Sequence, residues 1–189
     1  ISFIETRDNE HLVDLASNDL NKGKVIGWVQ GRSEFGQRSL GNRSILLDPR
    51  LINGKNLINS AIKFRESYRP FAPSILKEYF HTFFEGDPNQ HYFMESVARF
   101  KNNLPIQVPA VMNNDNTGRV QVVTSESNKL FYKLICDFYK KTNCPIILNT
   151  SFNLNGEPVV LRANDAIKTF YSSGIDVLYL KKFRITKHK

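Results

Sequence analysis

The chain has 189 residues, 41% of them apolar and 23% charged, with a formal net charge of +8. That length suits one domain with a core of its own, and the composition excludes wholesale disorder. No run approaches the ~18 uncharged apolar residues of a bilayer span, and two cysteines are too few for a disulfide scaffold.

The opening Ile1-Ser2-Phe3-Ile4-Glu5 has neither a methionine nor a basic-then-apolar leader pattern, so the chain is expected to be a piece of a longer one. Asp8 is placed to cap a helix running to about Asn21, with Leu12, Val13, Ala16 and Leu20 inward and Gly23 at its C-terminal turn. Residues 24–30 and 44–47 read as strands flanking a glycine- and arginine-bearing loop, and 53–64 as a helix that sets Lys63 and Arg65 at its end. Pro70 and Pro73 break that helix. A strand at 74–76, a short aromatic helix at 78–84 and strands at 92–97, 108–112 and 120–124 follow. Residues 127–141 form the clearest amphipathic helix, then a strand at 145–149, a helix at 164–173 and a strand at 177–180. The basic tail 181–189 reads as a solvated terminus. The order predicts a single α/β (α+β) domain over 1–189.

The four histidines, His11, His81, His91 and His188, show no metal-ligand spacing, so no metal site is expected. Cys136 and Cys144 read as small buried hydrophobes in a reducing cytoplasm. The charge is concentrated. Residues 32–69 carry Arg32, Arg38, Arg43, Arg50, Lys55, Lys63, Arg65 and Arg69 against Glu34, Asp48 and Glu66. Arginine forks in that density suit an anionic ligand.

Four segments put anion-seeking side chains beside turn residues. Residues 27–46 read GWVQGRSEFGQRSLGNRSIL, and the glycines with backbone N–H groups could form an anion cradle or only a solvated basic loop. Residues 63–76 read KFRESYRPFAPSIL, where Glu66 can brace an arginine. Residues 115–121 read DNTGRVQ and deliver Arg119 to a strand; residues 149–158 read NTSFNLNGEP at a strand's carboxyl end, where α/β ligands commonly sit. P-loop, dinucleotide and nucleophile-elbow signatures are absent from the sequence.

In this order the four segments closely resemble the C-terminal domain of the O-carbamoyltransferases of nodulation-factor, cephamycin and aminoglycoside biosynthesis. The resemblance runs from about Gly23 to Leu180. It implies a YrdC-like fold, a twisted mixed β-sheet with flanking helices. It also implies two-stage chemistry: carbamoyl phosphate and ATP, with its Mg2+, give carbamoyl adenylate and pyrophosphate. An N-terminal actin-like domain of the same protein, absent from this chain and holding iron or another divalent metal, then passes the carbamoyl group to an acceptor hydroxyl. By motif position Lys63, Arg69, Arg119 and Ser151 match residues that hold carbamoyl phosphate, Arg38 and Arg43 match the arginines of the family's F-G-x-R-x-L-G-N-R loop, and Asn149 and Asn153 flank the serine. On charge grounds Arg38 and Arg43 are expected at the nucleotide phosphates. The chain departs from the family pattern at Gln37 (usually proline), Ser39 (alanine), Asn113 (histidine), Asn116 (glycine) and Asn155 (arginine). A nucleic-acid-binding module and a degenerate non-catalytic domain are the competing readings. Against the former, base-stacking aromatics are not interleaved with the basic residues. Neither a membrane partner nor a defined acceptor follows from the sequence.

Overall fold

The computed structural model describes residues 2–64, 66 and 68–187; Arg65, His188 and Lys189 lie outside the described residues. The chain opens with strand β1 (Ser2–Glu5) and helix α1 (Asn9–Asn21). Asp8 caps α1, its carboxylate accepting the His11 N–H at 2.8 Å, and Gly23 turns the chain out at φ +74°. Strands β2 (Ile26–Val29) and β3 (Arg43–Leu47) follow, both buried along their whole length. Helix α2 (Gly54–Ile58) continues as a π-helical turn (Asn59–Lys63) and stops at Phe64, which has φ +45°. The predicted helix is therefore present with a widened last turn, and the Ala61 carbonyl accepts from the Gly174 N–H at 2.8 Å.

Strand β4 (Ala72–Leu76) leads through a tight turn into α3 (Phe80–Phe83). The expected strands at 92–97 and 108–112 do not form. Among the described residues that region has the two-residue pair β5 (Ala98–Arg99) and β6 (Thr117–Gly118) and a single antiparallel bridge from Phe100 to Phe84. Val108, Ala110 and Val111 are buried, but Pro105 and Pro109 punctuate the run and remove ladder donors, so it packs as irregular chain. Strand β7 (Gln121–Val123), helix α4 (Lys129–Thr142), strand β8 (Ile146–Ser151), helix α5 (Ala163–Tyr171) and strands β9 (Val177–Leu180) and β10 (Phe183–Thr186) complete the order.

Eight strands form one mixed sheet in the order β1-β10-β9-β2-β3-β8-β4-β7. Pairs β2/β9 and β4/β7 are parallel; the others are antiparallel. Helices α1 and α4 pack together on one face. There Tyr179 donates to Asp19 of α1 at 2.6 Å. Side chains alternate across the sheet, so neighbouring Leu178 faces the other side, with Phe152 packed under Gly27. Helix α5 covers that second face, where Lys187 lies over the Phe170 ring.

The basic tail is not a solvated terminus as far as it is described. A two-residue turn at Lys181 (φ +49°) and Lys182 folds it back as β10, and Arg184 grips buried Asp19 through Nε (2.7 Å) and Nη2 (3.0 Å). Lys24 adds a contact at 2.8 Å. Burial alone would push the Asp19 carboxyl up, but hydrogen bonds from Arg184, Lys24 and Tyr179 together outweigh it and hold the group below its ordinary value. A depressed carboxyl stabilises the fold above its unfolded value of 3.8 and loses that contribution as pH falls through its folded value. Asp19→Asn should cost about 3 kcal/mol at pH 7. Unfolding followed between pH 7 and pH 2 should then show a shallower acid limb than the wild type; parallel limbs would remove Asp19 from the account.

Both cysteines are unpaired, and burial pushes the Cys144 thiol up to about 12. No described helix is long and apolar enough to cross a membrane.

Candidate functional site

The four polar segments meet where β3, β8 and β4 lie side by side. Register sets Asn149 of β8 between Leu46 of β3 and Ala72 of β4, in the middle of the sheet. Its amide nitrogen donates to the Ser39 carbonyl (3.1 Å) and to Gln121 Oε1 (3.0 Å). Gln121 in turn accepts from Ser74 Oγ at 2.6 Å and donates to the Leu40 carbonyl at 2.9 Å. Three strands thereby pin the loop before β3 over the sheet. Gln121 and Ser74 were not singled out from the sequence; the Arg119-Val120-Gln121 alternation, which aims every second side chain the same way, was the available signal.

Beneath that loop lies a polar pocket of about 100 Å³ lined by Arg38, Ser39, Phe71, Arg119, Asn149 and Ser151 among others. Ser39 is 4% and Asn149 1% exposed, and neither Ser39 Oγ nor Asn149 Oδ1 has a hydrogen-bond partner among the described residues. Two orphaned buried polar atoms, an amide oxygen and a hydroxyl, cost free energy unless a ligand satisfies them. Arg38 is exposed at the opening and makes no hydrogen bond or ion pair among the described residues, while Arg119 is half-buried.

Four of the expected residues therefore share one pocket: Arg38, Arg119, Asn149 and Ser151. Lys63 stands directly behind it. It is 5% exposed, and its Nζ donates to the Ser151 carbonyl (2.7 Å), the Asn153 carbonyl (2.9 Å) and Asn153 Oδ1 (2.7 Å), with Ser151 Oγ at 3.3 Å. Ser151 Oγ donates to Asn153 Oδ1 at 2.7 Å, and Asn153 Nδ2 donates to the Glu157 carbonyl at 2.6 Å. Lys63 and Asn153 thus hold the loop that carries Ser151. Arg69 is exposed and pairs with Glu66 at 3.4 Å, beside Pro70 at the pocket edge.

Arg43 is elsewhere. Its guanidinium is buried under the loop and donates to the carbonyls of Gln30 (2.8 Å), Asn42 (2.9 Å) and Gly31 (3.2 Å). Burial lowers its pKa, and nearby Glu34 acts in the opposite sense. Glu34 itself occupies the backbone cradle: its Oε1 accepts from the N–H groups of Leu40 (2.7 Å), Asn42 (2.8 Å) and Arg43 (3.2 Å). Those amides are satisfied internally, which is why the loop presents side chains to the pocket. A carboxylate set among arginines was the overlooked sign.

The turn before Arg119 accommodates two of the departures. Asn116 has φ +63°, a region that asparagine tolerates best after glycine. Asn113 closes the turn, its Nδ2 donating to Thr117 Oγ1 at 3.1 Å. Asn155 is exposed.

A mixed sheet clad by helices on both faces, with a pocket of cations and amides beside its central strands, defines an α/β domain with a polar, cation-lined site. Comparison with known proteins gives the family. Residues 17–187 match the model of the carbamoyltransferase C-terminus. The chain is 44% identical over 186 residues to nodulation protein NolO of Bradyrhizobium diazoefficiens, covering 97% of this chain and 34% of that protein. It is 36% identical over 156 residues to the 3'-hydroxymethylcephem-O-carbamoyltransferase of Streptomyces clavuligerus, covering 80% and 28%. Among solved structures, full-length HypF in its phosphate- and nucleotide-bound form superposes with a TM-score of 0.64 at 18% identity, over 95% of this chain and 22% of that one. P. abyssi Sua5 complexed with L-threonine gives 0.64 at 14% identity, over 93% and 48%. The chain belongs to the carbamoyltransferase C-terminus family and has the YrdC-like fold that its motifs implied. It spans about a third of the length of NolO.

Proposed function

We propose that the pocket binds carbamoyl phosphate and ATP and converts them, with one water, into carbamoyl adenylate, pyrophosphate and inorganic phosphate. This is the activating half of carbamoyl transfer to a hydroxyl group. One observation carries the reading: Asn149 and Ser39 line the same pocket as Arg38 and Arg119, and each holds a buried polar atom without a partner among the described residues, the acceptor Asn149 Oδ1 and the hydroxyl Ser39 Oγ. A bare phosphate would be repelled by an amide oxygen. A ligand with an N–H donor at one end and an anion at the other uses both halves, and carbamoyl phosphate is such a ligand.

In this reading Asn149 and Ser39 accept from the carbamoyl amide, Ser151 turns its hydroxyl from Asn153 Oδ1 to the phosphate, and Arg119 with Arg69 neutralises that phosphate. Lys63 fixes the Ser151 loop and adds positive potential from behind. Water takes the phosphoryl group from carbamoyl phosphate and leaves carbamate. A carbamate oxygen then attacks the α-phosphorus of ATP and expels pyrophosphate. Arg38 bears on the charge that develops there, and Mg2+ would arrive on the triphosphate and shield it further. The work is positioning and charge stabilisation, with no covalent protein intermediate. The nucleotide-bound HypF neighbour supports a nucleotide at this fold, and the named cephem O-carbamoyltransferase supports a hydroxyl acceptor. The relatives' greater length supports a further, N-terminal domain in the same protein, which in this reading binds the acceptor and the metal; two unpaired thiols suit the cytoplasm.

The test is pyrophosphate release from ATP by the chain, with carbamoyl phosphate or acetyl phosphate, alongside calorimetry with each ligand. Release should require an acyl phosphate and be about tenfold lower with acetyl phosphate than with carbamoyl phosphate, because a methyl group cannot donate to Asn149. Equal release with both, or no binding of either substrate, would overturn the reading.

A further inference from the structure

We infer that Phe35 and Phe93 form an aromatic jaw that stacks the base of the nucleotide. The inference rests on the ATP reading above and adds where the base lies. The polar pocket opens into a second cleft of about 590 Å³, within the range of small-ligand sites. The two share Arg38, Met94 and Arg119, and the outer cleft adds Phe35 and Phe93 to its walls. The site thus has an order: amide and cation groups at the floor, arginines between, flat apolar rings at the mouth.

Both rings face solvent, Phe35 completely and Phe93 at 66% exposure. Each stands on backbone that is held, so neither is a loose surface side chain. Phe35 follows Glu34, whose carboxylate ties the loop through three backbone amides, and precedes Gly36 at φ +122°. The Phe93 N–H donates to Glu95 Oε2 at 2.8 Å, and Met94 adopts φ +58°, a left-handed conformation that residues other than glycine rarely take. That turn sends the Met94 side chain into the pocket wall, where it is buried, and the neighbouring Phe93 out to the mouth. A fixed turn that exposes a phenylalanine beside an arginine-lined pocket is what a planar, apolar-faced ligand with an anionic tail requires. A nucleoside triphosphate has both features. The basic loop therefore does carry a stacking aromatic, Phe35, between Arg32 and Arg38.

The experiment is calorimetric titration of the 189-residue chain and its Phe35→Ala and Phe93→Ala variants with ATP and, separately, inorganic tripolyphosphate, both with magnesium. Each alanine variant should weaken ATP about tenfold, the scale of one lost base–aromatic contact, and leave tripolyphosphate within twofold of the wild type. Phe35→Trp should retain ATP affinity. Equal losses for both ligands, or unchanged ATP affinity in both variants, would overturn the jaw alone. A wild type that binds tripolyphosphate but gains nothing from the nucleoside would also overturn it. Binding of neither by the wild type would sink the ATP reading and the jaw with it. Thermal unfolding of each variant distinguishes a lost contact from a lost fold.

Discussion

Arg119→Ala is expected to weaken carbamoyl-phosphate binding about a hundredfold, the upper end for one charge-assisted contact to a phosphate. Its unfolding midpoint should stay within about 2 °C of the wild type, because Arg119 is half-buried at a pocket wall rather than in the core. Lys63→Ala should behave differently, although the same motif argument applies to both residues. Its ammonium holds oxygens of Ser151 and Asn153, and truncation leaves buried carbonyls unpaired. Loss of binding should therefore come with a loss of stability of about 3 kcal/mol. Calorimetry with carbamoyl phosphate and chemical unfolding, run on both variants, separate the two cases. An Arg119→Ala protein that binds like the wild type would remove the phosphate assignment. A Lys63→Ala protein of wild-type stability would make Lys63 a direct ligand rather than the clamp of the Ser151 loop.

The contrast between these two residues marks how far the sequence is legible. Long elements with one period stand out: α1 and α4 show apolar residues at helical spacing, Asp8 reads as a cap, and the apolar runs before and after the arginine loop read as buried strands. Runs without a period do not. Val108, Ala110 and Val111 are as buried as strand residues, yet Pro105 before the run and Pro109 within it keep them out of the sheet. The β9–β10 turn has lysines where hairpins usually carry asparagine or glycine, so its return strand was read as a tail. In the site, four ordered motifs identify the residue types, and Arg38, Arg119, Asn149 and Ser151 do meet. Which donor faces which acceptor depends on closure of the chain across long separations. Lys63 and Ser151 are 88 residues apart, Asn149 and Ser39 are 110, and no local pattern encodes that pairing. The same holds for Arg43, whose carbonyl partners are set by the path of the loop rather than by its composition.

Gly41→Ala should be the most destabilising single-methyl change in the loop. Gly41 has φ +103°, and an added Cβ would lie 2.3 Å from Phe131 Cδ1 and 2.5 Å from Cγ. Phe131 is fully buried on α4 and cannot swing away without opening the core. The Gly41 carbonyl also accepts from Trp28 Nε1 at 2.9 Å, and its N–H donates to Ser44 Oγ at 3.1 Å, so the backbone is tied on both sides. Backbone strain and overpacking together should cost about 4 kcal/mol, or about 10 °C in midpoint for a chain of this size. Gly31→Ala is the matched control: its φ is +50°, but nothing lies within 4 Å of the added carbon, so only the left-handed penalty of about 1 kcal/mol applies. Phe131→Leu should recover part of the loss when combined with Gly41→Ala, because the two positions share one contact and their effects cannot add. Melting curves of the wild type, the two single variants and the double variant read the coupling directly, with Gly31→Ala melted beside them. Equal midpoints for Gly41→Ala and Gly31→Ala would mean that the close approach to Phe131 does not hold the loop. The loop's grip on the pocket would then rest on its hydrogen bonds, with Glu34, Gln121, Asn149 and Trp28 among others.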